Sequence, residues 1–157
     1  MKKTNSHLVN IINRQRLVKI SEIKLGDIVE HVLTKEKAPS VMGINIMLVR
    51  DPVIRRYHKE FMNIDTPTDC ISFPPEGLEE ANVLEPACGD CIISVDHALA
   101  YALENDVLFA EEIVRYAVHC TLHCLGYDDL KPADRRRMFA AQEKYVLYWK
   151  TNLYTTK

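Results

Sequence analysis

Ten consecutive residues, Tyr116 to Leu125 (YAVHCTLHCL), carry no formal charge, and a glycine stands directly after them. A run of that length without a polar face predicts a helix buried almost all round, so the rest of the fold has to be assembled about it. Two of its residues, His119 and His123, are four apart. On a helix both rings leave from one face, whereas a strand would separate them. Buried imidazoles need partners. Gly126, at the position after the helix cap that favours left-handed backbone, ends the helix and bends the chain so that the carboxylate of Asp129 returns toward the rings. The spacing His119-x3-His123-x2-Gly126-x2-Asp129 therefore reads as three metal ligands with a fourth position left for water, the arrangement of a catalytic rather than a structural zinc. A lone histidine reads best as a core residue bonded to backbone or to a carboxylate; the pair and the returning acid favour the metal.

Other chemistries are less well served. Zinc peptidases with paired helical histidines place a glutamate directly after the first one, to take the proton of the attacking water. Cys120 occupies that position, pointing about 100° from the ligand face, so peptidase activity is disfavoured. Cys88 and Cys91 form a C-x-x-C pair that, with the two histidines, would close a structural site, but the loop to His119 is longer than usual for a finger and Cys91 opens an expected strand. Two histidines and one carboxylate also match a ferrous oxygenase triad, yet no arginine stands nearby to bind an oxoacid co-substrate.

A chain of 157 residues, 47% hydrophobic and 27% charged, suits one soluble domain spanning residues 1–157 with a full core. No apolar run approaches a membrane span, and the start MKKTNSHLVNIINRQ alternates polar and apolar residues instead of forming an export signal, so a cytoplasmic protein with no membrane partner is expected. Five cysteines, an odd number, argue against a disulfide framework. A net charge of −2 gives no global attraction to nucleic acid, so any such contact must be local.

Apolar and β-branched enrichment predicts strands at 7–14, 43–49, 70–73 and 91–95. Helical spacing of Ile20, Ile23, Ile28, Val32 and Leu33 gives a β-α-β start. Asp51-Pro52 opens a helix to Met62, Asp96 caps one through Glu104, and helices follow at 110–125 and 132–149, with a loop or irregular hairpin over 76–90. The expectation is an α+β domain with a mostly four-stranded mixed sheet, about five helices and a metal site at the end of the buried central helix. Sheet order is not readable.

HCTLHCLGYDD resembles the HGxLHLxGYDH signature of the YbeY family of metal-dependent endoribonucleases. TPTDCISFP (66–74) is similar to the family's PTDVLSFP, and GDCIISVDHALAYA from Gly89 to its LGDIxIS segment. The three blocks fall in the right order within about the last two-thirds of the chain. The resemblance implies an α+β fold, one zinc ion or another divalent metal, and hydrolysis of single-stranded ribosomal RNA, typically at the 3′ end of small-subunit RNA and in ribosome quality control, with the small ribosomal subunit as partner. It makes His119 and His123 zinc ligands, with Asp129 where the family has its third histidine.

Two departures weaken the expected enzyme. Aspartate reduces the positive charge of the metal and ligand set, and Met62 stands where the family carries an arginine thought to serve the phosphate. Lys59 and His58, one turn before Met62 on the same face, are the nearest substitute cations. Ser72, retained in its strand, is a candidate to bond substrate or water. Arg55-Arg56 and Arg135 to Arg137 are candidate RNA backbone contacts, Asp128 a ligand-orienting or turn-capping group, and Cys120 and Cys124 small buried hydrophobes. The competing reading is an RNA- or ribosome-associated protein that keeps the fold but not efficient turnover.

Overall fold

The structure is a computed structural model that describes residues 7–154; Met1–Ser6, part of the start read for an export signal, lie outside the described residues. Along the chain run β1 (Leu8–Asn13), α1 (Glu22–Lys35), β2 (Met42–Val49), α2 (Asp51–Met62), β3 (Cys70–Phe73), β4 (Ala87–Ser94), α3 (Val95–Asn105), α4 (Phe109–Cys124) and α5 (Pro132–Tyr148), which continues into one π-helical turn (Trp149–Leu153). The four strands form one mixed sheet in the order β1-β2-β4-β3, with β1, β2 and β4 parallel and β3 antiparallel to β4. This is the α+β class expected, with four strands and five α-helices among the described residues. None of the helices among the described residues is long and apolar enough to cross a membrane.

β2 is an inner strand whose Ile44, Ile46 and Leu48 are buried on one side, while Asn45 and Met47 on the other are only partly covered. Its inward set Ile44, Ile46 and Leu48 joins Ile28, Val32, Ile113, Ala117, Val118 and Leu122 in the main core, beneath α1 and α4. The other face carries only a small cluster, Val49, Ile54, Ile71 and Ile92, under α2. α2 buries a single residue, Ile54. One face of the sheet is thus closed, and the other is largely open.

Three local expectations are corrected. β4 begins at Ala87 instead of Cys91, so the last four residues of the expected 76–90 loop are strand; they pair in register with Met42–Asn45. Asp51 and Asp96 are not caps. Arg50 precedes α2 without a side-chain cap bond, and the cap of α3 is Ser94, whose Oγ accepts the His97 N–H. Both aspartates instead cross-link helix starts: Asp51 accepts from the Ser94 hydroxyl at 2.6 Å, while Asp96 takes the Arg50 guanidinium and the Asp51 N–H. Strand-to-helix junctions at 50 and 94 lie side by side in the sheet, so acids that would cap locally in isolation find stronger partners across it.

Close approach of α4 to the sheet depends on Gly89. A Cβ there would stand 2.7 Å from the Cys124 Sγ and 3.2 Å from its Cβ. Gly126 follows the cap residue Leu125 with φ of 97°, as the sequence requires of a glycine that turns the chain out of the helix.

Candidate metal centre

His119 and His123 leave α4 on the side facing α5, and the bend at Gly126 returns Asp129 to them. The Nε2 atoms of the two rings are 3.1 Å apart, and Asp129 Oδ2 lies 3.5 Å from His123 Nε2 and 3.8 Å from His119 Nε2. Among the described residues these three form the group whose ligand atoms converge, all within 4.8 Å of one another. Bonds of about 2.0–2.1 Å at tetrahedral angles separate ligand atoms by roughly 3.3–3.4 Å, close to this spacing.

The outer nitrogens fix what the inner ones present. His123 Nδ1 meets the Tyr127 carbonyl at 3.0 Å, an oxygen that can only accept, so Nδ1 carries the proton. His119 Nδ1 meets Gln142 Oε1 at 2.8 Å, and the amide's orientation is set by its nitrogen, which donates to Glu143. Both Nδ1 atoms are therefore donors, and in neutral rings both Nε2 atoms offer lone pairs to the same point, with a carboxylate oxygen added. Three electron-rich atoms converging without a proton between them repel one another. A divalent cation relieves that repulsion, and a second layer of bonds that selects the Nδ1–H tautomer is what ligating histidines use.

This second layer is built by long-range packing. Arg115 on α4 donates to Glu143 on α5 at 2.8 Å, next to Gln142, and also pairs with the buried Glu112. Glu36, just past α1, accepts from both the Tyr127 hydroxyl (3.0 Å) and the Tyr145 hydroxyl (2.7 Å), pinning the turn after α4 to α5. Burial, then the Glu36 carboxylate, push the Tyr127 phenol above its usual range, so it remains a donor. Asp128 Oδ1 caps the turn through the Leu130 N–H, one of the two roles expected of it. Arg135 Nε donates to the Asp129 carbonyl at 3.0 Å, so one of the arginines expected to contact RNA braces the ligand loop, and Arg137 lies over the Tyr127 ring. Gln142 and Glu36 were not legible in the sequence: neither stands in a motif, and only the docking of α5 and α1 brings them in.

Cys120 faces inward, against Cys70 and Cys91, and lies away from the ligand face as expected. Hydrogen bonding to those thiols, with burial, holds it well above the ordinary cysteine value, a protonated apolar group that cannot act as a base. Cys88 and Cys91 are three apart on a strand and so face opposite sides of the sheet, which removes the C-x-x-C chelate. Ser72 pairs with Cys91 and shares its side of the sheet, the side covered by α4. Lys59 and His58 sit on exposed α2; Lys59 Nζ is 3.6 Å from Asp65 and His58 Nδ1 2.7 Å from the Thr66 carbonyl. Met62 ends the same helix, half exposed.

A buried helix in an α+β fold, carrying two histidines and an acid returned by a glycine turn, defines a class of proteins whose helix end could hold a metal ion. Within that class the chain belongs to the YbeY family: the model of that family, described as endoribonuclease YbeY, matches residues 10–150. The endoribonuclease YbeY of Protochlamydia amoebophila is 34% identical over 143 residues, covering 91% of this chain and 93% of that protein. That of a Sulfurihydrogenibium species is 37% identical over 136 residues, covering 85% and 88%. A Thermotoga maritima protein solved in solution has the same fold, with a TM-score of 0.66 over 96% of this chain at 24% identity.

Proposed function

We propose that this protein is a metal-dependent endoribonuclease that hydrolyses single-stranded RNA, with zinc held by His119, His123 and Asp129, and that it acts in maturing the 3′ end of small-subunit ribosomal RNA and in ribosome quality control in the cytoplasm. The observation that carries the reading is the convergence of two imidazole Nε2 atoms and a carboxylate oxygen at a partly exposed rim, in a chain whose relatives are named endoribonucleases.

Hydrolysis of a phosphodiester needs a nucleophile, charge stabilisation at the phosphoryl oxygens and a proton for the leaving oxygen. A divalent ion in this site supplies Lewis acidity and lowers the pKa of water. The chain's own groups do the rest. Gln142 and the Tyr127 carbonyl hold the imidazoles in the ligating tautomer, and the brace of Arg135 on the Asp129 carbonyl holds the loop that brings the acid in. Ser72, on the α4 side of the edge strand, donates to substrate or water. Lys59 and His58 supply positive charge in place of the arginine that Met62 replaces; Arg55, Arg56 and Lys59 line a hollow of about 490 Å3 beside α2.

Cleavage of a short single-stranded RNA with added zinc is expected from the wild type and is expected to fall at least 100-fold in the His119→Ala, His123→Ala double variant. Equal residual cleavage by both would overturn the enzyme and favour the second reading, a non-catalytic RNA- or ribosome-associated protein, for which Asp129 and Met62 speak. Lys59→Ala should slow cleavage less than tenfold, because Asp65 already shares its charge; an unchanged rate removes Lys59 from the site.

A further inference from the structure

The open face of the sheet holds a cavity of about 510 Å3, beneath α2 and on the opposite side of the edge strand β3 from α4. Two features mark it as built to receive something. The first is an aromatic wall: Phe61 is 57% exposed, yet it is not loose on the surface, standing 6.1 Å from Tyr57 in a stacked arrangement and 5.1 Å from Phe73 edge-on. The second is a polar ladder across three strands. Asn10 Nδ2 donates to Asn45 Oδ1 at 2.8 Å, and Asn45 Nδ2 donates to Asp90 Oδ1 at 2.9 Å. The Asn45 amide is oriented by Asn10, so it presents its N–H₂ to the exposed Asp90 carboxylate, whose Oδ2 takes no hydrogen bond among the described residues.

The chemistry of the lining selects its ligand. Among the described residues that line the cavity there is no lysine, arginine or histidine, and both ionisable carboxyls, Asp90 and Glu76, are acids. A phosphate is repelled. A planar group that stacks on phenyl rings and donates hydrogen bonds is favoured, and in a strand of RNA that group is a base with an exocyclic amine. Uracil has no such amine and flanks its one N–H with two carbonyl oxygens, which a carboxylate disfavours. Phe73 links the two sides: its ring lines the cavity, while its carbonyl accepts from the Cys124 thiol at the histidine-bearing end of α4.

We propose that this cavity is a base-selecting subsite, in which Phe61 stacks on one base of the RNA strand and Asp90, oriented by Asn45, accepts a hydrogen bond from that base's exocyclic amine. The proposal rests on the single-stranded RNA reading and adds a preference to it: cytosine over uracil at one position, with stacking area held nearly constant.

The test is binding of fluorescent oligocytidylate and oligouridylate of equal length, read by anisotropy, to the full chain carrying His119→Ala so that turnover does not intervene. Oligocytidylate should bind about fivefold to tenfold more tightly. In Asp90→Asn the Asn45 amide keeps the new carbonyl oxygen, leaving an N–H₂ donor facing the cavity, and the ratio should fall to one or invert. Phe61→Ala should weaken both ligands about tenfold with the ratio unchanged. An oligonucleotide of N4,N4-dimethylcytidine, tested on the unaltered cavity, should bind no better than oligouridylate, a result that does not depend on any variant folding. Equal affinity for the two homopolymers, an unchanged ratio in Asp90→Asn, or full binding of the dimethylated oligonucleotide would each overturn the subsite. Cleavage by wild type without base preference sinks the subsite and leaves the nuclease; base-selective binding by a protein that cleaves nothing does the reverse.

Discussion

The two faces of the sheet are built to different specifications. The face under α1 and α4 is packed with side chains of near-zero exposure, and at its rim the histidine tautomers are set by bonds from two other segments. The face under α2 has four buried residues, an exposed phenylalanine and a cavity. A metal tolerates ligand errors of only a few tenths of an ångström, so its site needs a rigid, close-packed support. A strand of RNA needs an accessible surface. The difference teaches that one thin sheet can divide these requirements, with the edge strand β3 placing Ser72 toward one face and Phe73 toward the other.

The comparison is broken most sharply by stability. Ile46 and Ile92 are both buried, on the closed and open faces respectively. Ile46→Ala should cost about 4 kcal/mol, because its crowded surroundings cannot collapse into the cavity left behind, and Ile92→Ala about 2 kcal/mol, because its small cluster borders open space. Denaturant unfolding checks this, and equal costs would mean the open face is as tightly supported as the closed one.

Next in size is the histidine support. Gln142→Leu removes the acceptor of His119 Nδ1 while keeping side-chain volume, and metal affinity measured by chelator competition should fall about 10- to 100-fold. The thermal midpoint of the metal-free protein should move little, and an unchanged affinity would detach Gln142 from the site.

The smallest effect belongs to the junction of α2 and α3. Hydrogen bonding to Arg50 holds the Asp96 carboxyl below its usual pKa, and the pair is partly exposed. A carboxylate whose folded pKa is depressed stabilises the fold above its unfolded pKa, near 4, and loses that contribution as the pH falls through the folded value. Asp96→Asn should therefore cost about 0.5–1 kcal/mol at neutral pH, and the gap from wild type should close below about pH 4. A gap that persists at pH 3 would show that shape, and not charge, holds the junction.

Much of the centre was legible because it is local. His119, His123, Gly126 and Asp129 fall within eleven residues, and helix geometry with one glycine bend brings them together with little help from the rest of the chain. Strand positions were legible from apolar runs, although β4 was cut short at Cys91, since Ala87, Cys88, Gly89 and Asp90 lack the β-branched signal of CIISV. The caps at Asp51 and Asp96 were misread because neighbouring strand ends offered those carboxylates partners that local sequence does not reveal.

By itself the sequence determined the buried helix, its paired imidazoles and the turn that returns an acid, because each depends on contacts between residues close along the chain. Only the tertiary structure decided the strand order β1-β2-β4-β3, the pairing of Gln142 and Glu36 with the centre, and the opening of one sheet face into a cavity. These depend on which helices dock where. That docking is set by summed burial over many residues, which no short motif records.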